Sequence, residues 1–222
     1  MKLLQYIRYF FYVGTNWNWY VAIVLLQQEI KGEKKYGINT TGADELKKLK
    51  RKGIDISHAT LYMPVSYQLL EEALGQIPES NRKHFFDIGC GKGRAMCVAA
   101  HYGFKTVSGI DFSKEFCEAA LQNLQATKQK IPSVNFEAAE ADAAVAGIPN
   151  GADCIFLFNP FDETVMKKAA QHIQASISQK PRKAHIIYAN PLYKNLFLAN
   201  GFKEKYHSKK LRYFEISILV NG

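Results

Sequence analysis

The chain has no cysteine pair spaced for a metal site or a redox motif. Its four cysteines are scattered, and its six histidines do not cluster either. Metal sites built from Cys and His need closely spaced ligands, so we expect no catalytic or structural metal. Unpaired cysteines in segments that have the pattern of a core indicate reduced thiols, and we expect a cytoplasmic protein. These cysteines are Cys90, Cys97, Cys117 and Cys154.

Internal repeats and low-complexity segments are also missing, and acidic residues are outnumbered by basic ones. The 222 residues suffice for one α/β domain with a modest extension and are too few for two ordinary domains. An apolar content of 47% with 22% charged residues excludes a disordered chain. The net charge of +9 attracts nucleic acid or an anionic lipid surface at long range, and a solvated basic surface explains it equally well.

No charged residue occurs between Tyr9 and Leu26, a stretch nearly long enough to span a bilayer. Polar residues between Gly14 and Asn18 interrupt it and no small-residue cleavage site follows, which disfavours both a spanning helix and a signal peptide. We expect two aromatic-rich helices packed on the domain, within an N-terminal helical extension over residues 1–60. The alternative is an interfacial segment whose aromatic side chains and flanking lysines make peripheral contact with a membrane.

Strand and helix patterns alternate along the chain after residue 82. Apolar runs that predict strands lie at 84–88, 106–111, 134–139, 154–159 and 184–190, with helical patterns between most of them. This order predicts an α/β domain over residues 61–222, with a parallel sheet and helices on both faces. Two closing strands, near 202–207 and 211–220, are separated by a short gap at Ser208–Lys210. They predict an antiparallel hairpin at the end of the sheet.

A glycine-rich loop, Asp87-Ile88-Gly89-Cys90-Gly91-Lys92-Gly93, follows the first predicted strand and opens a helix. Its glycines let the backbone approach a ligand closely. The spacing G-x-G-x-G differs from that of dinucleotide-binding loops, and no Gly-Lys-Ser/Thr sequence ends it. An acidic residue, Asp87, precedes the glycines where it would repel a phosphate. The loop therefore indicates a cationic ligand without phosphate.

Acidic residues also follow the next two predicted strands. Asp111 ends the run 106–111 about twenty residues after the loop, where a carboxylate can accept hydrogen bonds from both hydroxyls of a ribose. Its alternative role is to cap the helix that begins near Ser113. Asp142 follows the third strand, in the order a base-binding site needs, and it can instead cap a turn. Ligands of open α/β sheets bind beyond the carboxyl ends of the strands, so these residues predict one site.

Four segments in this order, FFDIGCGKGRAMCVAA, GIDFS, EADA and FLFNPF, are similar to the motifs of class I S-adenosylmethionine-dependent methyltransferases. The resemblance covers roughly residues 62–220 and implies a Rossmann-like sheet of seven strands, the last of them antiparallel. It also implies S-adenosylmethionine as the cofactor. The cofactor contacts that it implies are Gly89, Gly91 and Gly93 beneath the amino-acid part, Asp111 on the ribose, Phe112 against the adenine, and Asp142 with Ala143 at the adenine edge.

Directly after the fourth strand, Asn159-Pro160-Phe161 looks like a shortened Asn/Asp-Pro-Pro-Tyr/Phe motif of methyltransferases that act on nitrogen. The resemblance implies that Asn159 and Pro160 accept hydrogen bonds from the acceptor N–H beside the cofactor, while Phe161 packs on a flat substrate. The second proline of the motif is missing, which disfavours methylation of nucleic-acid bases. Alternatively, Asn159-Pro160 ends the strand and starts the next helix.

Upstream, Tyr62-Met63-Pro64-Val65 resembles the Y-x-P-V segment of non-SET histone-lysine methyltransferases and related bacterial proteins. The resemblance implies that Tyr62 and Pro64 line the cofactor pocket, and it favours a protein lysine or a small amine as acceptor. Two alternatives stay open. Basic runs at Lys47–Lys52 and Lys203–Arg212 support a nucleic-acid methyltransferase. A protein that binds the cofactor as a scaffold, without catalysis, is the other.

Overall fold

The computed structural model describes residues 2–42, 64–158 and 161–222. Of the residues that the sequence singles out, Tyr62, Asn159, Pro160 and the run Lys47–Lys52 lie outside this part of the chain. The helices are α1 Lys2–Asn16, α2 Trp19–Tyr36, α3 Tyr67–Gly75, α4 Arg94–His101, α5 Lys114–Lys130, α6 Glu163–Gln179 and α7 Lys194–Leu198. The strands are β1 His84–Ile88, β2 Thr106–Asp111, β3 Asn135–Glu140, β4 Cys154–Phe158, β5 His185–Ala189, β6 Phe202–Lys210 and β7 Phe214–Asn221.

The seven strands form one sheet in the order β3-β2-β1-β4-β5-β7-β6. The first five in this order run parallel, whereas β7 is antiparallel to both β5 and β6. Neighbouring residues of β1 enter different cores: Phe85 packs with helices α1 to α5, and Phe86 with α6 and α7. A strand that is covered on both faces needs an apolar residue at nearly every position. The predicted Rossmann-like fold is confirmed.

Helices α1 and α2 pack on the sheet as part of its larger core. Tyr9 and Val13 of α1 are at most 2% exposed, as is Leu25 of α2, and all three belong to the cluster that contains Phe85. The break between the helices falls in the predicted polar stretch, where the Asn18 side chain accepts a hydrogen bond from the Tyr20 N–H at 2.7 Å and begins α2. None of the helices in the described ranges is long and apolar enough to cross a membrane.

The turn of the closing hairpin differs from the prediction. Strand β6 continues through Ser208–Lys210, and the chain turns at Leu211–Tyr213 instead. Leu211 and Arg212 have positive φ angles of 49° and 65°, which few residues other than glycine adopt. The prediction was wrong because lysines on an edge strand face solvent and protect the edge, so a basic run does not by itself indicate a turn.

Candidate functional site

The carboxyl ends of β1 to β4 meet along one edge of the sheet. In the strand register, Ile88 at the end of β1 lies beside Ile110 of β2 and Leu157 of β4. Asp111 of β2 lies beside Glu140, the last residue of β3. The glycine loop, Asp111 and the segments after β3 and β4 therefore share this edge, which we call the carboxyl edge. The sequence predicted this grouping.

The glycine loop has a conformation that only glycine adopts easily. The φ angles are 83° at Gly89, 52° at Gly91 and 78° at Gly93. The N–H groups of Gly89 and Cys90 both donate to the Ile110 carbonyl at 2.9 Å, which ties the start of the loop to the end of β2. A Cβ atom added at Gly93 would lie 3.0 Å from the Ala120 Cβ, so α5 leaves no room for a side chain. The end of β2 and helix α5 therefore fix the conformation of the loop.

Asp111 joins the glycine loop to the start of α5. Its Oδ2 accepts a hydrogen bond from the Gly91 N–H at 2.8 Å, and its Oδ1 accepts one from the Ser113 N–H at 3.0 Å. Ser113 itself caps α5 by accepting a hydrogen bond from the Phe116 N–H. Burial raises the pKa of Asp111 to about 6, although the two N–H groups lower it. The cap of α5 is therefore Ser113, and the alternative role of Asp111 as that cap was wrong. Asp111 holds the capping residue in place, and each of its oxygens keeps a free lone pair for a ligand.

Asp87 is the other buried carboxyl group of the site. Its side chain is 2% exposed, and its Oδ1 has no hydrogen-bond partner among the described residues. Burial raises the pKa of Asp87 well above its usual range, and the neighbouring Asp111 raises it further. A buried carboxylate oxygen without a donor is costly, and nearly all such atoms in folded proteins are paired. The position therefore fits a ligand that supplies a donor or a positive charge.

The residues predicted at the adenine differ in exposure. Phe112 is half-buried and Ala143 is buried, whereas Asp142 is exposed. The Asp142 Oδ1 accepts a hydrogen bond from the Ala144 N–H at 2.8 Å, so the side chain caps a turn. This contact is the alternative that the sequence left open for Asp142. All three residues follow β2 or β3 at the carboxyl edge.

On the acceptor side, the structure describes Phe161 and Pro64. Phe161 is half-buried and packs against the smaller core under α6. That helix begins at Asp162, whose Oδ1 accepts a hydrogen bond from the Val165 N–H at 3.0 Å. Pro64 is buried just before α3. The residue that caps the start of α6 is therefore Asp162.

An ion pair that the sequence did not reveal joins the N-terminal helices to the glycine loop. Arg94, the first residue of α4, is 3% exposed and binds both carboxylate oxygens of Glu29 in α2, which is 1% exposed. The same guanidinium donates to the Thr40 Oγ1 and the Val65 carbonyl, both at 2.8 Å, and lies 4.1 Å above the Tyr67 ring. Arg94 directly follows Gly93, so this pair anchors the end of the loop.

A second carboxylate, Glu33, lies one turn further along α2. Its Oε1 accepts hydrogen bonds from the N–H groups of Thr40 and Thr41, at 2.7 and 2.8 Å, and its Oε2 accepts one from the Tyr6 hydroxyl at 2.6 Å. Burial alone would raise the pKa of Glu33, but these hydrogen bonds outweigh it and lower the pKa. Lys92 of the loop reaches the Thr41 carbonyl at 3.4 Å. The segment after α2 is thereby held against the glycine loop.

One sequence signal could have pointed to this cluster. Glu29 and Glu33 are the only acidic residues in the first 43 positions, and they are spaced four apart in a helix whose other charged residues are all basic. Residues four apart share one face of a helix. Isolated acids on one face of an apolar helix indicate a buried partner, but nothing in the sequence identifies that partner as Arg94.

Comparisons with known proteins give the class of the enzyme. Residues 85–179 match the model of a family described as a methyltransferase domain. Comparison with curated protein sequences gives no match. The fold is similar to a magnesium protoporphyrin IX methyltransferase from Synechocystis PCC 6803 with bound S-adenosylmethionine, at 19% identity and a TM-score of 0.51, over 70% of this chain and 79% of the other.

Two further solved structures share the fold. One is an S-adenosylmethionine-dependent methyltransferase from Aquifex aeolicus, 16% identical with a TM-score of 0.53, over 69% of this chain and 89% of the other. The second is a ribosomal protein L11 methylase from Lactobacillus delbrueckii subsp. bulgaricus, 16% identical with a TM-score of 0.51, over 70% of this chain and 77% of the other. The matched segment 85–179 contains the glycine loop and both buried carboxyl groups.

This chain is an S-adenosylmethionine-dependent methyltransferase. The matched family and the seven-stranded sheet agree with the sequence motifs at Gly89 to Gly93 and Asp111. In the described part of the methyltransferase, no group of three or more His, Cys, Asp or Glu side chains could hold a metal ion. All four cysteines are free and buried.

Proposed function

We propose that the methyltransferase binds its cofactor along the carboxyl edge and methylates an amine nitrogen, either of a protein lysine or of a small amine. The observation that carries the binding site is the Asp87 Oδ1 atom, which is buried beside the glycine loop without a partner among the described residues. S-adenosylmethionine carries an ammonium and a sulfonium group and no phosphate. A cationic ligand of this kind meets the need of a buried carboxylate.

The residues present fit this cofactor in charge. In the proposed arrangement, Gly89, Gly91 and Gly93 lie under its amino-acid part, and Asp111 accepts hydrogen bonds from its ribose. Two buried carboxyl groups, those of Asp87 and Asp111, face a cation in surroundings that screen charge weakly. The remaining proposed contacts are Phe112, Asp142 and Ala143 at the adenine, with Tyr62 and Pro64 in the pocket wall.

The cofactor supplies an electrophilic methyl group, so the protein's own part is to orient and desolvate the acceptor. We propose that Asn159 and Pro160 accept hydrogen bonds from the acceptor nitrogen and that Phe161 packs beside it. The nitrogen must arrive unprotonated, because its lone pair forms the new bond. Positioning of this kind can supply much of the rate of a group transfer.

A nucleic-acid acceptor is the second candidate, because the sheet ends in the basic strand β6. Two of its lysines are already paired with carboxylates: Lys209 lies 3.2 Å from Glu215, and Lys210 contacts Glu72. Lys203, at the start of β6, lies opposite Val220 near the end of β7, away from the carboxyl edge. These placements favour the amine acceptor over nucleic acid.

Transfer of a radiolabelled methyl group to separate pools of proteins, small amines and RNA tests the proposal. We expect label in the protein or amine pool with the wild-type enzyme and with Asn150→Ala, an exposed asparagine before β4 that serves as the control. Asn159→Ala should bind S-adenosylmethionine normally and turn over roughly a hundredfold more slowly. Label confined to RNA would support the second candidate. Cofactor binding without label in any pool would support a scaffold.

A further inference from the structure

The two N-terminal helices expose a row of large apolar side chains. Leu3, Ile7 and Phe11 of α1 are 72%, 45% and 55% exposed and are spaced four residues apart, so they lie on one face of that helix. On α2, Trp19, Ile23 and Ile30 are 49%, 49% and 45% exposed and also share a face. We call α1 and α2 together the N-terminal hairpin, and these six residues the apolar face of the hairpin.

The two rows meet to form one surface. The Phe11 and Trp19 rings contact each other edge to face, with 6.1 Å between their centroids. Gly14 of α1 provides the space for this contact, because an added Cβ would lie 2.3 Å from the Trp19 ring. Contiguous exposed apolar surface is uncommon on soluble monomers and marks sites that bind a partner or a membrane.

The exposed charges of these two helices are all of one sign, and one of them, Lys35, is paired with Glu71 of α3 at 3.0 Å. Among residues 3–36 the exposed charged side chains are Arg8, Lys31, Lys34 and Lys35. Both acidic residues of the hairpin are buried and do not reach the surface: Glu29 pairs with Arg94, and Glu33 accepts a hydrogen bond from the Thr40 N–H. An apolar face with a cationic rim is complementary to the surface of an anionic bilayer. A second copy of the chain would instead place cations near cations across a symmetric interface.

The position of the hairpin links it to the site. Trp17, between the helices, stacks on Tyr213 in the β6–β7 turn, with parallel rings 5.6 Å apart. Ile216, near the start of β7, pairs with Ala189 at the end of β5, so this turn lies at the carboxyl edge. The loop between α1 and α2, next to the Phe11 and Trp19 end of the apolar face, therefore lies at the carboxyl edge.

We propose that the apolar face of the hairpin docks in the plane of an anionic lipid surface. The helices lie on the bilayer with Leu3, Ile7 and Ile23 inserted and with Arg8, Lys31 and Lys34 near the headgroups. This placement depends on the hairpin alone and is independent of which acceptor the enzyme methylates. It orients the site towards acceptors that are at or in the membrane.

Flotation of the full-length protein with phosphatidylcholine vesicles, with and without phosphatidylglycerol, tests the proposal. Deletion of the hairpin is unsuitable because Glu29 pairs with Arg94 in the core. The apolar variant is Leu3→Ser, Ile7→Ser and Ile23→Ser, and its control is Leu121→Ser with Leu198→Ser, two side chains that are 38% exposed elsewhere. The charge variant is Arg8→Gln, Lys31→Gln and Lys34→Gln, and its control removes three exposed lysines of or next to α6, Lys167, Lys168 and Lys180.

We expect the wild type and both controls to float with phosphatidylglycerol vesicles and to be released by salt. The apolar variant should bind roughly tenfold more weakly or worse. The charge variant should lose roughly fivefold for each cation removed at low ionic strength. Titration with S-adenosylmethionine checks that each variant is folded, and unchanged cofactor binding separates loss of docking from loss of the enzyme.

Three results would overturn the proposal. The first is a wild type that does not float with anionic vesicles. The second is an apolar variant that floats as well as the wild type. The third is a wild type that is a dimer by light scattering, does not float, and becomes a monomer in the apolar variant. That outcome would assign the face to a second copy of the chain.

Discussion

Replacing Arg94 with Met tests whether the N-terminal hairpin is built into the catalytic core. The change leaves the Glu29 carboxylate buried without its cation and removes the donors to Thr40 and Val65. Breaking a buried pair in this way typically costs about 3–5 kcal/mol of folding free energy. For a chain of this size each kcal/mol lowers the melting temperature by about 2–4 °C, so we expect a fall of about 6–20 °C.

A double-mutant cycle separates the pair from its surroundings. Glu29→Met alone should destabilise the protein about as much as Arg94→Met, because it leaves the buried guanidinium without its counter-ion. The double variant buries no lone charge and should be more stable than either single variant, with a coupling energy of about 2 kcal/mol or more. Urea denaturation followed by circular dichroism measures the free energy of unfolding of the two single variants and the double variant.

A surface ion pair provides the control for this cycle. Lys167 and Glu163 in α6 are 2.8 Å apart, and both side chains are more than half exposed. Lys167→Met should change the unfolding free energy by less than about 0.5 kcal/mol. The stabilising role of the buried Glu29–Arg94 pair would be refuted if Arg94→Met lowered the free energy of unfolding by less than about 1 kcal/mol. It would also be refuted if the effects of the two single substitutions simply added in the double variant.

Three further predictions concern the cofactor site. Gly93→Ala should destabilise the protein by about 1–2 kcal/mol or more, because φ is 78° and the new Cβ would meet Ala120; unchanged urea denaturation would contradict this. The pKa of Asp111 is raised to about 6, so its contribution to stability is largest below about pH 4 and is lost as the pH rises to about 6. Affinity for the cationic cofactor should instead rise from about pH 5 to 7, as Asp111 loses its proton. An equally steep rise in Asp111→Asn would show that ionisation of Asp111 is not the cause. Burial raises the pKa of Asp87, so cofactor binding should release protons in calorimetry with buffers of different ionisation enthalpy, and Asp87→Asn should abolish that release.

Much of the sheet could be predicted from local patterns. Strand β4, Cys154–Phe158, was predicted to within one residue, because a buried parallel strand is an unbroken apolar run that ends where the polar site residues begin. The glycine loop was equally clear, since its spacing after β1 is local information. The β6–β7 turn was misplaced because solvent-facing lysines look alike in an edge strand and in a turn.

The contacts between distant parts of the chain could not be predicted. Glu29 and Arg94 are 65 residues apart, and their pairing depends on how α2 packs against α4. The same limit applies to Asp142, since a side chain that caps a turn and one that binds a ligand have the same local sequence. The composition of the N-terminal segment shows that it is apolar. It does not show that one face of the two helices stays exposed while Tyr9, Val13 and Leu25 enter the core.

Isothermal titration of the purified protein with S-adenosylmethionine and S-adenosylhomocysteine, with NADH as the control, tests the central claim most directly. Binding of the first two with dissociation constants on the order of micromolar, and none of NADH, is the predicted result. Loss of that binding in Asp111→Ala would locate it at the carboxyl edge. Absence of binding by either adenosyl compound, or equal binding of NADH, would contradict the assignment of this chain as an S-adenosylmethionine-dependent methyltransferase.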